Sequence, residues 1–438
     1  MLSIRNIIGP RPGFEGGLFL PEYKSVTARR PIERLRADGT LYVPLRVGLD
    51  LETSPVVKPG AKVLGGQRLA TPASAASVAV HAPTSGAVLG IDRVWTAHDG
   101  FLPCAILEPD GRDERLPPGR LWMDESFTGQ LADKGVVCPS PRGPAHWVLR
   151  QAAQAGVSTL IVNAMETEPY LAADLRTLVE EPGRLVDMTC EIADSLGVER
   201  VFIAVPFRHR RVVRRMEAEA VGRHVLVASL AGRYPQCHPI MLVKALLDLE
   251  VSPGGSVLDV GAAVIPLSVV RSAAEAVLDD RAATHAVMTI AGDAVERPGV
   301  YRVAVGTPVR RLAERVGLTG TVASVISGGP LTGVSVGRDD AVVTAETTAM
   351  LFFRRGIESE PLACIRCGWC VEDCPVGLDP AGLVQLESEG SIEAEQVSHL
   401  RACIDCGLCS YVCPTSLPLA ATIRRIRARH ERGQESAS

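Results

Sequence analysis

Residues 364–375 read Cys364-Ile-Arg-Cys367-Gly-Trp-Cys370-Val-Glu-Asp-Cys374-Pro375, and residues 403–414 read Cys403-Ile-Asp-Cys406-Gly-Leu-Cys409-Ser-Tyr-Val-Cys413-Pro414. Both runs have the spacing C-x2-C-x2-C-x3-C-P, which holds a cubane iron–sulfur cluster with three thiolates from one run and the fourth from the other. The sequence therefore predicts two [4Fe-4S] clusters. Cluster 1 is expected on Cys364, Cys367, Cys370 and Cys413, and cluster 2 on Cys403, Cys406, Cys409 and Cys374.

The residues between the cysteines agree with this prediction. Gly368 and Gly407 allow the backbone to approach a cluster closely, and a proline after each run turns the chain away. Trp369 and Tyr411 are expected to shield the clusters from water. Structural zinc is the alternative, but zinc takes four ligands in two pairs, whereas each run supplies four cysteines and a trailing proline. The pattern therefore predicts electron transfer.

The composition narrows the setting in which these clusters work. The chain has 438 residues, enough for about three or four domains, and its net charge of −4 argues against nucleic acid as the main partner. The N-terminus has no apolar core of signal-peptide length. The nearest candidate for a membrane span, residues 256–270, is too short and contains Asp259 and Pro266. We therefore expect a cytoplasmic protein with no membrane span of its own.

The apolar patterns predict four domains. Residues 1–125 alternate short apolar runs with Pro/Gly turns, as in a small β domain. Residues 126–284 alternate strand and helix patterns, which is typical of a doubly wound α/β sheet. Residues 285–355 have the strand and helix content of a β-grasp module. Residues 356–438 hold both cysteine runs and are expected to form an α-helical ferredoxin domain.

Individual elements are also predicted. Continuous apolar runs at residues 158–164, 200–205 and 224–230 are expected to be buried parallel strands of the second domain. A helix is expected over residues 172–196 of the same domain, and another over residues 380–399, between the two cysteine runs.

A set of short motifs, taken in their order, resembles the C subunit of the Rnf electron-transport complex over nearly the whole chain. The motifs are Gly13-Phe-Glu-Gly-Gly-Leu18, Gly65-Gly-Gln67, His81-Ala-Pro-Thr-Ser-Gly86, Ile161-Val-Asn-Ala-Met-Glu-Thr-Glu-Pro-Tyr170, Tyr234-Pro-Gln236, Val305-Gly-Thr-Pro308, Gly328-Gly-Pro330 and both cysteine runs. The resemblance implies a barrel-sandwich hybrid-like first domain, a second domain like the flavoprotein subunit of respiratory complex I, and an SLBB-like β-grasp module. It also implies a peripheral position on the cytoplasmic face of the inner membrane. There the other subunits of a membrane redox complex, together with electron donor and acceptor proteins, would be its partners.

The same resemblance implies an FMN and NADH site, with contacts at Asn163, Glu166 and Glu168. The family's glycine-rich loop, GxGGAGFPT, cradles phosphate with backbone N–H groups at a helix start. The corresponding residues 135–146 contain three prolines, which have no N–H donor, and keep only Gly143 of the glycine cluster. We therefore predict a vestigial site that binds FMN weakly or not at all.

Other positions associated with the flavin depart from the family as well. After Tyr234-Pro-Gln236 the family continues with Gly and Glu, whereas this chain has Cys237 and His238. Residues 258–263 lack the asparagine expected there. Arg142 offers a charge in place of the lost phosphate contacts, but an ordinary solvated arginine is the expectation.

Three functions follow from these observations. The first is an electron-transfer subunit that relays electrons through two [4Fe-4S] clusters within a membrane-associated Rnf-like complex, with any flavin on a partner. The second is an FMN-containing, NADH-oxidising enzyme of such a complex. The third is a cobalamin-type reductase, although the relatives used in that way lack the N-terminal barrel. The missing glycine-rich loop favours the first function and argues against NADH dehydrogenase activity.

Overall fold

The structure is a computed structural model, and it describes residues 13–46, 53–117, 126–356, 360–392 and 394–435. Its architecture confirms the predicted fold class: a β domain, a parallel α/β domain, a β-grasp-like sheet and a helical C-terminal domain follow one another. The predicted boundaries at 125/126 and 355/356 adjoin residues 118–125 and 357–359, which lie outside the described residues.

The N-terminal part is built from strands. They are β1 (Glu33–Arg34), β2 (Leu41–Pro44), β3 (Thr53–Pro55), β4 (Lys62–Val63), β5 (Arg68–Pro72), β6 (Val80–His81), β7 (Gly86–Thr96) and β8 (Gly100–Pro109). One sheet has the order β2-β8-β7-β4 and a second has the order β3-β5-β6. Leu41, Leu69 and Leu107 are fully buried between them, and Val305 from much later in the chain joins the same core. The β domain is therefore packed directly against the β-grasp sheet.

The second domain contains one four-stranded parallel sheet. Its elements are α1 (Phe127–Asp133), β9 (Val137–Pro139), β10 (Arg142–Pro144), α2 (Ala145–Gln154), β11 (Thr159–Asn163), α3 (Ala173–Glu180), α4 (Pro182–Leu196), β12 (Arg200–Pro206), α5 (Arg210–Glu219), β13 (Leu226–Leu230), α6 (Pro239–Leu247), β14 (Ala262–Pro266) and α7 (Leu267–Leu278). The sheet order is β13-β12-β11-β14, and every pair is parallel. The three predicted strands are confirmed.

Two features of this domain differ from the prediction. The helix expected over 172–196 is two helices, because Pro182 lacks an N–H and starts α4 as its first residue. β14 is not foreseen from the sequence, since its apolar run continues into that of α7 with only Pro266 at the junction.

Both faces of the parallel sheet are covered. Leu160 and Val162 of β11 pack into a large core with α2, α4 and α7. Ile161, between them, points to the opposite face, where it packs in a smaller core with Leu242 and Val243 of α6. Burial on both faces explains why these strands are continuous apolar runs rather than alternating ones.

The β-grasp sheet recruits a strand from the N-terminus. Its own elements are β15 (His285–Ala291), β16 (Gly299–Ala304), α8 (Val309–Val316), β17 (Ser324–Ser327), β18 (Val334–Ser335) and β19 (Ala349–Phe353). The sheet order is β1-β16-β15-β19-β17-β18, and β1 lies parallel to β16 with Glu33 opposite Tyr301. The chain before the β domain is therefore part of the third sheet.

The C-terminal domain is helical. Its helices are α9 (Trp369–Glu372), α10 (Pro380–Ser388), α11 (Ala394–Leu400), α12 (Leu408–Tyr411) and α13 (Leu419–Glu435). The helix expected over 380–399 is thus two helices, separated at Gly390, whose φ is +66°. A small core of leucine and isoleucine side chains joins α10, α11 and α13. Within the described residues, no helix combines the length and the apolar character needed to cross a membrane.

A buried ion-pair network joins the second domain to the β-grasp sheet. Glu275 of α7 accepts hydrogen bonds from Arg271 at 2.6 Å and from Arg302 of β16 at 2.9 Å. Its side chain is 9% exposed. Burial alone opposes ionisation of Glu275, but the two arginines hold its pKa at about 2. Because an ordinary glutamate has a pKa of 4.5, this stabilisation is present above about pH 4.5 and is lost as the pH falls toward 2.

We expect Glu275→Gln to destabilise the protein at pH 7. The substitution leaves two arginines without their buried countercharge, and breaking a buried pair in this way costs about 3–5 kcal/mol. Thermal unfolding of the anaerobic protein should therefore begin at a lower temperature. Glu217→Gln, on the exposed face of α5, is the matched control and should leave the unfolding curve unchanged. Equal behaviour of the two variants would contradict the proposed network.

Candidate functional site

The two cysteine runs have the same backbone conformation. Gly368 and Gly407 precede α9 and α12 with φ values of +81° and +76°. Arg366 and Asp405, two residues earlier, both have a φ of +55°. At Gly407 a side chain is also excluded by contact, since a Cβ there would lie 2.7 Å from the carbonyl oxygen of Leu331. The repeated sequence therefore folds into two copies of one loop and short helix.

The cysteines fall into two groups of four. One cavity, of about 750 Å³, is lined by Cys364, Cys367 and Cys370 of the first run together with Cys413 of the second. A second, narrower cavity is lined by Cys403, Cys406, Cys409 and Cys374. The last cysteine of each run thus faces the other run's cavity. Two groups of four thiols, each around a space of its own, fit the donor set of a cubane cluster.

Several thiols already have hydrogen-bond partners. The amide of Leu378 lies 3.3 Å from the sulfur of Cys374, and the amide of Arg366 lies 3.4 Å from that of Cys364. Burial raises the pKa of Cys406 and Cys409 to about 12, so iron would displace protons from them. Among the described residues, no three His, Cys, Asp or Glu side chains are arranged to hold a single metal ion.

The two cavities differ in their exposure. Cys364 and Cys367, on the first cavity, are exposed, whereas the cysteines of the second are only partly accessible. Trp369 and Tyr411 are 51% and 52% exposed, and that they shield the clusters from water stays a prediction. Trp369 begins α9 and Tyr411 ends α12.

The second cavity lies against the α/β domain. The hydroxyl of Tyr234 donates a hydrogen bond to the main-chain carbonyl of Cys406. Tyr234 packs with Leu20 and Leu408 in a small buried cluster at this boundary. The N-terminal segment crosses the same place, where the amide of Gly17 donates to the carbonyl of Asp373 at 2.9 Å. The α/β domain, the N-terminal segment and both cysteine runs therefore meet around the second cavity.

The residues assigned to FMN and NADH lie at the carboxyl edge of the parallel sheet. From β11 the sheet continues through β12 to β13, while β14 is added on the other side. The crevice between β11 and β14 is therefore the switch point at which open α/β sheets bind ligands. Asn163 ends β11, directly opposite Pro266 of β14, and Glu166 and Glu168 follow it in the chain.

Each of these three residues is engaged within the protein. Asn163 donates to the carbonyl of Cys237 at 2.7 Å and accepts from the amide of Met165 at 3.0 Å. Glu166 accepts from the amide of Leu175 at 3.1 Å, in the first turn of α3.

Glu168 is 7% exposed and accepts from the amide of Leu331 at 2.8 Å and from the hydroxyl of Thr332. Burial raises the pKa of Glu168. The structure thus brings Asn163, Glu166 and Glu168 to one edge of the sheet, but their polar groups are bonded to the chain itself.

Lys24 is a further buried group at this edge to which the sequence patterns assign no role. It is 4% exposed, and its ammonium donates to the main-chain carbonyl of Glu166. Burial lowers its pKa, and Glu166 and Glu22 oppose that shift. The only sequence signal for it is its position shortly after the motif Gly13-Phe-Glu-Gly-Gly-Leu18.

The predicted phosphate loop is a tight hairpin. β9 and β10 pair antiparallel, with Gly143 opposite Cys138, and α2 begins immediately afterwards. The amide of Ala145, the first residue of α2, donates to the carbonyl of Val136 at 3.0 Å. This bond occupies the first helical amide, and the three prolines of the hairpin carry no N–H, so fewer backbone donors are available to a phosphate here.

Arg142 does not remain a free, solvated side chain, and that expectation is wrong. Its guanidinium donates to both carboxylate oxygens of Asp99, at 2.7 and 2.9 Å, and also to Glu346. Hydrogen bonding to Asp99 raises the pKa of Arg142. Asp99 and Glu346 are nearly buried, so the arginine is committed to them and its charge is compensated. With the charge of Arg142 compensated and three N–H donors lost to prolines, this region is a poor match for a flavin phosphate.

Comparison with known families agrees with this architecture. Three family models match: the RnfC barrel sandwich hybrid domain over residues 12–112, the Nuo51 FMN-binding domain over residues 142–275, and a 4Fe-4S dicluster domain over residues 351–417. The C subunit of the proton-translocating ferredoxin:NAD(+) oxidoreductase complex of Clostridium ljungdahlii is 30% identical over 84% of this chain and 83% of its own length. The chain belongs to the Rnf C-subunit family.

Other members of the family are similarly distant. The C subunit of the ion-translocating oxidoreductase complex of Rhodobacter capsulatus is 30% identical over 89% of this chain and 78% of its own length. The C subunit of Edwardsiella ictaluri is 32% identical over 84% of this chain. The match covers 48% of the length of that subunit, so this chain spans about half of it.

A solved structure shares the fold. A chain of the NAD+-reducing [NiFe]-hydrogenase in the H2-reduced state superposes with a TM-score of 0.50 at 16% identity, over 70% of this chain and 61% of that one.

We expect this family member to bind FMN weakly or not at all. Each charge-assisted hydrogen bond to phosphate contributes roughly 1.5–3 kcal/mol, so losing two of them weakens binding about a hundredfold or more. Titration of FMN into the protein, followed by flavin fluorescence, should show no saturation at micromolar concentrations. Saturable micromolar binding that Asn163→Ala abolishes would contradict this expectation.

Proposed function

We propose that this protein is the electron-transfer subunit of a membrane-associated Rnf-like complex and that it relays single electrons through two [4Fe-4S] clusters. The observation that carries this proposal is the pair of cavities, each lined by four cysteines drawn from both runs. Membership of the Rnf C-subunit family supports the setting, and the other subunits of the complex are its partners. Through them the protein is peripheral on the cytoplasmic face of the membrane.

We assign cluster 1 to Cys364, Cys367, Cys370 and Cys413, and cluster 2 to Cys403, Cys406, Cys409 and Cys374. Thiolates hold the iron, and bound clusters supply one-electron carriers whose potentials depend on hydrogen bonds to sulfur and on exposure. The chain itself holds each set of four sulfurs in place through the paired loops and the core of α10, α11 and α13.

The exchange of the fourth ligand can be tested by substitution. The wild-type protein, reconstituted anaerobically, should contain about eight iron atoms. Cys374→Ser should remove or alter the same EPR signal as Cys406→Ser, although Cys374 lies in the other run. Cys413→Ser should act like Cys367→Ser.

Cys190→Ala, in a helix of the α/β domain, is the control and should keep both signals. If Cys374→Ser instead reproduces the effect of Cys367→Ser, each run holds its own cluster and the assignment fails.

Cluster 1 is the point at which electrons pass to or from a partner subunit. Apolar side chains surround its exposed cysteines: Leu362, Ile365, Trp369 and Val371 are 42–66% exposed. The amide of Leu362 bonds to the carbonyl of Thr415, which places this side of the patch beside the fourth ligand, Cys413. We assign this patch to a subunit with a redox centre of its own, since electron exchange needs close approach and an apolar surface excludes water.

A charge in this patch should slow electron exchange. Ile365→Glu introduces a carboxylate that would be desolvated when the partner docks. Loss of an interface contact of this kind costs about 1.4 kcal/mol or more, which is a tenfold change in the binding constant. Reduction of the clusters by the assembled complex in membranes should therefore be about tenfold slower, with the iron content unchanged.

Val221→Glu, at a position that is 78% exposed in the α/β domain, is the control. Equal rates for Ile365→Glu and the wild type would remove this patch from the electron path.

The alternative functions are less well supported. The hairpin at residues 137–144 and the ion-paired Arg142 argue against an FMN-containing NADH-oxidising enzyme. The match of the RnfC barrel model to residues 12–112 argues against a cobalamin-type reductase, whose sequences lack that domain.

A further inference from the structure

Tyr234 is the largest fully buried side chain in the described part of the protein. The hydroxyl, its only polar side-chain atom, is directed at the second cysteine run, where cluster 2 is assigned. Tyr234 is 0% exposed, and its hydroxyl donates to the carbonyl of Cys406. Its backbone is fixed on both sides, since its amide and carbonyl pair with Leu18 at 2.7 and 2.9 Å.

Glu168 supports the same cysteine loop from another side. Its carboxylate accepts from the amide of Leu331 at 2.8 Å and from the hydroxyl of Thr332. A Cβ on Gly329 would overlap this carboxylate, at 2.1 Å, so the loop is packed tightly around it. The carbonyl of Leu331 in turn rests against Gly407.

The first run has no equivalent support among the described residues. Cys367 occupies the position of Cys406 in the repeat and is exposed. Trp369 corresponds to Leu408, but it is 51% exposed whereas Leu408 is 1% exposed. The two loops therefore share one conformation but differ in their surroundings. At these two positions the first run is more exposed to solvent than the second.

We infer that Tyr234 and Glu168 are positioning residues for cluster 2: they hold its loop against the α/β domain, exclude water and favour its reduced state. The inference rests on the proposed function, because it requires a cluster on Cys403, Cys406, Cys409 and Cys374. Tyr234 and Glu168 belong to motifs that the family resemblance links to the flavin site, and the inference gives both residues a role at cluster 2.

The physical reason is electrostatic. Reduction adds one negative charge to a cluster, and a hydroxyl dipole directed at the carbonyl of a ligand cysteine stabilises that charge. Tyr234→Phe removes the dipole and leaves the ring and its packing in place. Cluster 2 should then be harder to reduce, with an equilibrium constant for reduction about threefold to tenfold smaller, where tenfold corresponds to about 59 mV for one electron.

The experiment is an EPR-monitored redox titration of the full chain. Tyr411→Phe makes the same chemical change on an exposed side chain of the second run and is the matched control. The signal that Cys374→Ser removes identifies cluster 2. We expect Tyr234→Phe to lower the potential of that signal alone and Tyr411→Phe to change neither signal.

A second pair of variants tests Glu168. Glu168→Ala leaves the buried amide of Leu331 without an acceptor and should make cluster 2 lose iron to a chelator several-fold faster than in the wild type. Glu168→Gln keeps an acceptor and should restore most of the protection. Iron loss from cluster 1 should be the same in both variants.

Unchanged potentials in Tyr234→Phe, or equal shifts of both clusters, would overturn the inference for Tyr234. Equal chelation rates for Glu168→Ala and the wild type would overturn it for Glu168. Neither result would affect the proposed function as long as the wild-type protein holds about eight iron atoms. Absence of iron from the reconstituted wild type would instead overturn the proposed function itself.

Discussion

The contact between the second cysteine run and the carboxyl edge of the parallel sheet organises this protein. Gly407 lies so close to the carbonyl of Leu331 that no side chain fits, and Tyr234 bonds to Cys406 from within the sheet's edge. The N-terminal segment is held in the same place by hydrogen bonds to Tyr234 and Asp373. Because four parts of the chain meet here, the ferredoxin domain is fixed to the other domains rather than tethered to them.

The same contact explains why the polar side chains of the crevice between β11 and β14 are bonded within the protein. These side chains are retained, but Asn163 bonds to Cys237, Glu166 bonds to α3, and Glu168 bonds to the loop that covers Gly407. A buried polar group needs a partner, and here each partner is supplied by the protein itself. A ligand in the crevice would have to displace these bonds, and the hairpin before α2 has lost three N–H donors to its prolines.

Sequence patterns predicted an element correctly wherever the residues of a single segment define it. The continuous apolar runs correctly gave β11, β12 and β13, and the cysteine spacing indicated the C-terminal dicluster domain. Elements whose apolar pattern continues across a proline were missed or merged: β14 passes into α7 with only Pro266 at the junction, and Pro182 divides a helix whose apolar pattern continues across it. The exposure of Trp369 and Tyr411 depends on neighbouring elements, which residue type does not reveal.

The sequence by itself determined the chemistry of the repeat, which is two runs of four cysteines with glycines where the backbone takes positive φ. It also determined that prolines remove N–H donors from the loop at residues 135–146. Tertiary structure alone decided that the first two cysteines of the first run are exposed while those of the second are only partly accessible, and that Arg142 is held by Asp99 and Glu346. Spacing along the chain fixes the ligands that one loop can present. The surroundings of that loop are set by residues hundreds of positions away, brought to it only when the domains pack.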